Sequence, residues 1–142
     1  MTPIELERRI HARPETVFAY FTDAARYTAW MGVEAVLDAR PGGIYRVRVP
    51  QGHYAVGEFV EVEPFERVVF TWGWEGDPEV PPGSSRVEVT LTSDGDATIV
   101  RLVHRGLPDA TIAIHTLGWD QYLDRLAVAA AGGNPDADGA SA

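Results

Sequence analysis

The chain has 142 residues, no cysteine, and 12 basic against 21 acidic residues, for a formal charge of −9. That length suits one domain with its own core, and the lack of cysteine excludes disulfides, thiolate catalysis and cysteine-held metal centres. Every basic residue is arginine and none cluster, so the acidic surface repels phosphate backbones and anionic bilayers, which excludes nucleic acid as a partner and stable membrane insertion. The N-terminus (MTPIELERRI) lacks an apolar signal core, which predicts a cytoplasmic protein.

Residues 3–11 (PIELERRIH) alternate apolar and charged side chains and predict a strand. Pro14 and Glu15 suit the first turn of a helix, with Val17, Phe18 and Phe21 as its apolar stripe. Asp23 suits the cap of a second short helix carrying Tyr27 and Trp30. From Val33 to Leu107 strand follows strand, about six of them, broken by Pro41-Gly42-Gly43, Gly52, Pro64, Pro81-Pro82-Gly83 and Ser93-Asp94-Gly95. After Pro108, residues 109–131 read as one long helix with Asp109 as cap and Gly132 as stop. Residues 132–142 (GGNPDADGASA) carry no large apolar side chain and predict a disordered tail behind a folded domain of residues 1–131. The order of elements predicts an α+β fold, a curved antiparallel sheet with helices on one side.

Alternation along the strands assigns faces. Tyr45, Val47 and Val49 share one face of their strand, as do Val68, Phe70, Trp72 and Trp74 of theirs. Val100, Leu102 and His104 face inward, while Arg101 and Arg105 face water. In Glu58-Phe59-Val60-Glu61-Val62 the same alternation puts Glu58 with the valines, and a carboxylate on an apolar face needs a partner or a wet cavity. On the terminal helix His115, Trp119, Tyr122 and Leu126 recur at helical spacing, with Leu123 beside them. Gly118 costs about 1 kcal/mol against alanine there, which points to close approach by something at that turn. The inner surface is therefore expected to carry candidate ligand-binding residues Trp30, Tyr45, Glu58, Phe70, Trp72, Trp74, His104, His115, Trp119 and Tyr122, an apolar wall with a few polar anchors.

At the level of chemistry, His11, His53, His104 and His115 have neither HExxH spacing nor a compact cluster, so no metal site is expected. Gly83-Ser84-Ser85 lacks the strand–turn–helix elbow of a hydrolase serine, and Gly42-Gly43 and Gly132-Gly133 are isolated pairs rather than phosphate cradles. No cofactor is expected. Glu58 and His104 are the candidate catalytic pair, because burial raises a carboxyl pKa and lowers that of an imidazole until both can move protons.

The segments Ala12-Arg13-Pro14-Glu15-Thr16-Val17-Phe18, Trp30-Met31-Gly32, Pro41-Gly42-Gly43, Gly57-Glu58-Phe59, Phe70-Thr71-Trp72 and Gly118-Trp119-Asp120-Gln121-Tyr122-Leu123, in that order, resemble the START-like, or SRPBCC, superfamily. Within it they are most similar to the branch of activators of the heat-shock protein 90 ATPase, from about Ile4 to Ala131. The resemblance implies a helix-grip fold, a seven-stranded antiparallel sheet wrapped around the long terminal helix with a hydrophobic cavity between. One departure is Arg13, which has no side-chain oxygen to cap the first helix where the branch often has a small capping residue. The superfamily includes lipid carriers, hormone receptors, cyclases and aromatase-like proteins, so three expectations stand together. They are binding of a small hydrophobic or aromatic molecule, acid–base catalysis of the polyketide cyclase or dehydratase type, and a co-chaperone-like protein partner held by the acidic outer face around Glu61 and Glu88.

Overall fold

In a computed structural model that describes residues 2–135, strand β1 (Ile4–Ile10) leads into helices α1 (Pro14–Thr22) and α2 (Ala24–Tyr27). Six strands follow, β2 (Glu34–Leu37), β3 (Ile44–Arg48), β4 (Tyr54–Glu63), β5 (Arg67–Trp72), β6 (Ser85–Asp94) and β7 (Ala97–Arg105), and helix α3 (Ile112–Ala130) closes the fold. All seven strands form one sheet in the order β1-β7-β6-β5-β4-β3-β2, with every pair antiparallel. This is the helix-grip arrangement that the motifs imply.

Local chemistry accounts for the element ends. Pro14 stands in the first turn of α1 with no side-chain cap from Arg13, as the arginine dictates. Asp23 caps α2 by accepting from the Ala25 and Arg26 amides. Gly132, at φ +94°, ends the long helix, and its amide and that of Gly133 return to the Ala129 and Val128 carbonyls. The expected single helix over 109–131 is divided. Asp109–Thr111 form a 3-10 turn without a side-chain cap, and α3 begins only at Ile112, because Thr111 spends both its amide and its hydroxyl on the Pro108 carbonyl. The expected tail lies outside the described residues from position 136 onward.

The strand faces follow the alternation with one correction. Val60 is an extra residue in β4: Phe59 pairs with Phe70, but Glu61 pairs with Val69. This bulge inverts the phase of the strand. Phe59 and, beyond the bulge, Val62 pack on the core, whereas Glu58 is exposed on the outer face, its amide bonded to Thr71 Oγ1 at 3.0 Å. Glu58 is therefore not a cavity residue.

On the outer face Glu88, its side chain 17% exposed, faces Arg86, Arg105 and Arg67 at 3.4, 3.3 and 4.0 Å, and Glu61 meets Arg67 at 3.2 Å. On the inner face the Arg8 side chain of β1 reaches across to α3, pairing with Asp120 and, at 3.1 Å, with Asp124. The helix is thus tied to the β1 edge, where it lies closest to the sheet, and its N-terminal half spans the region in front of β5.

Candidate ligand-binding site

The two halves of α3 meet the sheet differently. Leu123, Leu126, Ala129 and Ala130 are buried, and the small alanines let the backbone approach α1 closely enough for the Tyr20 hydroxyl to bond the Ala129 carbonyl at 3.2 Å. In the N-terminal half, His115, Gly118, Trp119 and Tyr122 join Trp72 and Trp74 in lining a cavity of about 480 Å³. That volume lies within the roughly 300–1,000 Å³ typical of small-molecule sites. Met31 and Val49 extend the apolar wall, and Gln51, His53, Asp77, Glu79, Thr111, Ile114 and Gln121 complete the lining. A larger trough of about 840 Å³ lies at the start of α1, but Arg13, Glu15, Glu63, Glu66, Arg67 and Asp96 make its walls charged, and it opens to solvent.

Two glycines shape the site. A Cβ on Gly73 would stand 1.8 Å from the Pro81 carbonyl oxygen. Only glycine there lets the 75–82 loop fold against the strand end, where the Trp74 amide donates to the Val80 carbonyl at 2.6 Å. Trp72 and Trp74, on either side of it, are thereby held edge to face with ring centres 4.7 Å apart. Gly118 is the opposite case. A Cβ there would have no heavy atom within 4 Å, so the missing side chain leaves open space on the cavity wall rather than relieving a contact.

Two indole–imidazole bonds brace the walls. Trp119 Nε1 donates to His104 Nδ1 at 2.9 Å. His104 Nε2–H then donates to Ser85 Oγ at 2.8 Å, and the Ser85 hydroxyl donates to the Trp72 carbonyl at 2.7 Å. Trp74 Nε1 donates to His115 Nε2 at 3.0 Å, while His115 Nδ1–H donates to the Thr111 carbonyl at 2.8 Å. Each imidazole offers its one lone pair to an indole and its one N–H to oxygen, which sets the tautomers. Burial, reinforced by the neighbouring His115, holds the His104 pKa down at about 3. His104 and His115 ring centres are 6.2 Å apart, and Trp72 packs against both, 6.2 Å from Trp119 as well.

Beneath this cluster the core is closed. Tyr45 stacks on Phe70 with ring centres 4.2 Å apart, and its hydroxyl meets that of Tyr27 at 2.5 Å. Tyr27 also reaches Met31 Sδ at 3.6 Å. Burial pushes both phenols above the ordinary tyrosine range; the hydrogen bond from Tyr27 and the Trp72 indole work against it at Tyr45. Trp72 Nε1 faces that hydroxyl without closing a hydrogen bond, the one such buried side-chain atom among the described residues.

With this geometry in view, comparison with known proteins is direct. The family model for "Activator of Hsp90 ATPase homolog 1-like protein" matches residues 11–131. The chain belongs to this family. Its members include an AHSA1-like protein of Rhizobium etli whose solution structure is 43% identical, covers 94% of this chain and 84% of that one, and superposes with a TM-score of 0.75. The crystal structure of DynU16, from the dynemicin biosynthetic locus, is 27% identical with a TM-score of 0.80, covering 94% of this chain and 48% of that one. An uncharacterised protein of Schizosaccharomyces pombe is 31% identical over 97 residues, 65% of this chain, and the match spans only 26% of that protein's length.

Within this AHSA1-like fold the expected site residues separate into two groups. Trp72, Trp74, His115, Trp119 and Tyr122 come together on the cavity. Tyr45 and Phe70 are fully buried in the closed core, and Trp30, equally buried, bonds the Tyr20 carbonyl at 2.9 Å and borders a separate recess behind Tyr122. His104 is 1% exposed and stands behind the wall with both nitrogens committed, and Glu58 is on the opposite face, so the expected catalytic pair does not meet. Sequence reasoning missed Asp77 and Glu79, which the loop after Trp74 carries to the cavity rim. The signal available was the closeness of Asp77-Pro78-Glu79 to the paired tryptophans and to Pro81-Pro82. Among the described residues, no group of three or more His, Asp or Glu side chains is placed to hold a metal ion, and no helix is long and apolar enough to cross a membrane.

Proposed function

We propose that the protein binds a small hydrophobic, aromatic molecule in the cavity between the N-terminal half of α3 and β5. The observation that carries this reading is the space itself: about 480 Å³ walled by three tryptophans and a tyrosine, two of which, Trp74 and Trp119, are held by indole–imidazole hydrogen bonds. Walls braced in this way keep their shape without an occupant, so little ordering cost is left for binding. DynU16 has the same fold and comes from a biosynthetic locus, a setting in keeping with a small organic ligand.

Trp72, Trp74 and Trp119 are three of the four tryptophans in the chain, so intrinsic fluorescence reports the cavity. Titration with the neutral probe N-phenyl-1-naphthylamine is expected to give a saturable change. The variant Gly118→Leu, which projects a side chain into the open space on the wall, is expected to weaken that binding at least about tenfold, or about 1.4 kcal/mol. A response that is linear in probe, or saturable binding equal in Gly118→Leu, overturns the proposal.

A further inference from the structure

The charge around the cavity is one-sided. Its lining contains two carboxylates, Asp77 and Glu79, and no arginine, in a chain without lysine. Neither acid forms an ion pair among the described residues, whereas the nearby Glu75 is paired with Arg46 at 2.6 Å. Asp77 Oδ1 accepts the Glu79 and Val80 amides, at 2.8 and 3.4 Å, which fixes the carboxylate at the rim. Of the imidazoles, His115 presents a lone pair to Trp74 and His104 is held neutral behind the wall, while His53 lines the cavity beside Trp74 with ring centres 6.2 Å apart. Inside, Trp72 and Trp119 are buried at the back of the cavity, and Trp74, crossing Trp72 at 73°, is the half-buried tryptophan that offers aromatic surface to a ligand.

Such a site discriminates by charge. Indole faces carry negative potential that attracts a cation, most strongly where water is displaced. Two unpaired carboxylates at the mouth of a low-dielectric cleft focus a field of the same sign. An anionic ligand would be desolvated against both, with no arginine to receive it. From this we infer that the ligand is an aromatic cation, a flat apolar body carrying a protonated amine that lies between the tryptophans and the Asp77–Glu79 rim. This rests on the ligand-binding reading and specifies its chemistry.

The test uses one ring system in three charge states: 2-naphthylmethylamine, 2-naphthylmethanol and 2-naphthoate. Affinities are measured by calorimetry at pH 8, where the amine is protonated and the carboxylate ionised. The amine is expected to bind at least about tenfold more tightly than the carboxylate, with the alcohol between them and the gap narrowing as salt is raised. In Asp77→Asn/Glu79→Gln, which keeps the Oδ1 acceptor of the loop, the amine is expected to fall to the affinity of the alcohol. Equal binding of all three probes, or a preference for the amine that survives the double variant, overturns the inference and leaves the cavity reading intact. Tighter binding of the carboxylate does the same. Binding of none of the three overturns both.

Discussion

Phe70 and Trp72 sit two residues apart on the same face of β5, yet one seals the core and the other lines a hollow. Around Phe70 the partners leave no gap: Tyr45 lies parallel to it, Phe59 meets it edge-on with centres 5.9 Å apart, and Phe21 of α1, Tyr27 of α2 and Trp30 in the turn after α2 close the end. Around Trp72 the partners carry ring nitrogens: Trp74, His104 and His115 pack on it with ring centres 4.7, 4.9 and 5.4 Å away, and they are cross-linked by hydrogen bonds, Trp74 to His115 and Trp119 to His104. The difference teaches that aromatic content alone does not decide between core and cavity. Both ends pack ring on ring and differ in cover: Trp74 is only half-buried at the cavity, whereas Tyr45, Phe59 and Phe70 are fully buried.

The comparison is broken most severely at the sealed end. Phe70→Ala leaves a void beneath Tyr45 and is expected to cost about 3–5 kcal/mol in urea unfolding. Trp74→Ala, at a partly exposed wall, is expected to cost less while abolishing the fluorescence response to ligand; equal costs would erase the distinction between the two ends. Protonation gives a smaller effect that belongs to the hollow end. With its folded pKa at about 3, His104 binds a proton in the unfolded chain first. The stability it contributes is complete above about pH 6.5 and is lost as pH falls from there toward 3, by at most about 1.4 kcal/mol per pH unit. His104→Gln can still accept from Trp119 and donate to Ser85, and is expected to flatten that slope when unfolding curves at pH 7 and pH 5 are compared. The smallest effect is stabilising. Gly118→Ala adds a methyl group where nothing stands within 4 Å, and is expected to raise stability by up to about 1 kcal/mol. A loss instead would mean that the space on that wall is already filled.

Much of the fold was legible because its signals are local: Pro14 at a helix start, Asp23 as a cap, Gly132 as a stop, and alternation through β3, β5 and β7. The site was legible in part. Alternation reports which face a side chain occupies and not how far along the strand it lies, so Tyr45, Phe70 and Trp72 were assigned together although only Trp72 reaches the cavity. Glu58 was misplaced because a single inserted residue, Val60, leaves no mark in an apolar–polar pattern until the partner strand is known. Asp77 and Glu79 were missed for a related reason. Loop residues have no period, and their position at the mouth depends on a contact between Gly73 and Pro81 that only the folded chain displays.

The tether between Arg8 and the Asp120–Asp124 turn bears on where the opening can vary. With α3 fixed along β1 and its second half cemented to the core, the 75–82 segment borders the aperture, held to the rest of the fold by the buried Val80 and by Glu75, whose amide bonds the Tyr54 carbonyl and whose carboxylate pairs with Arg46. Substitutions at its rim positions, Asp77 and Glu79, change the charge and width of the opening while the scaffold stays the same.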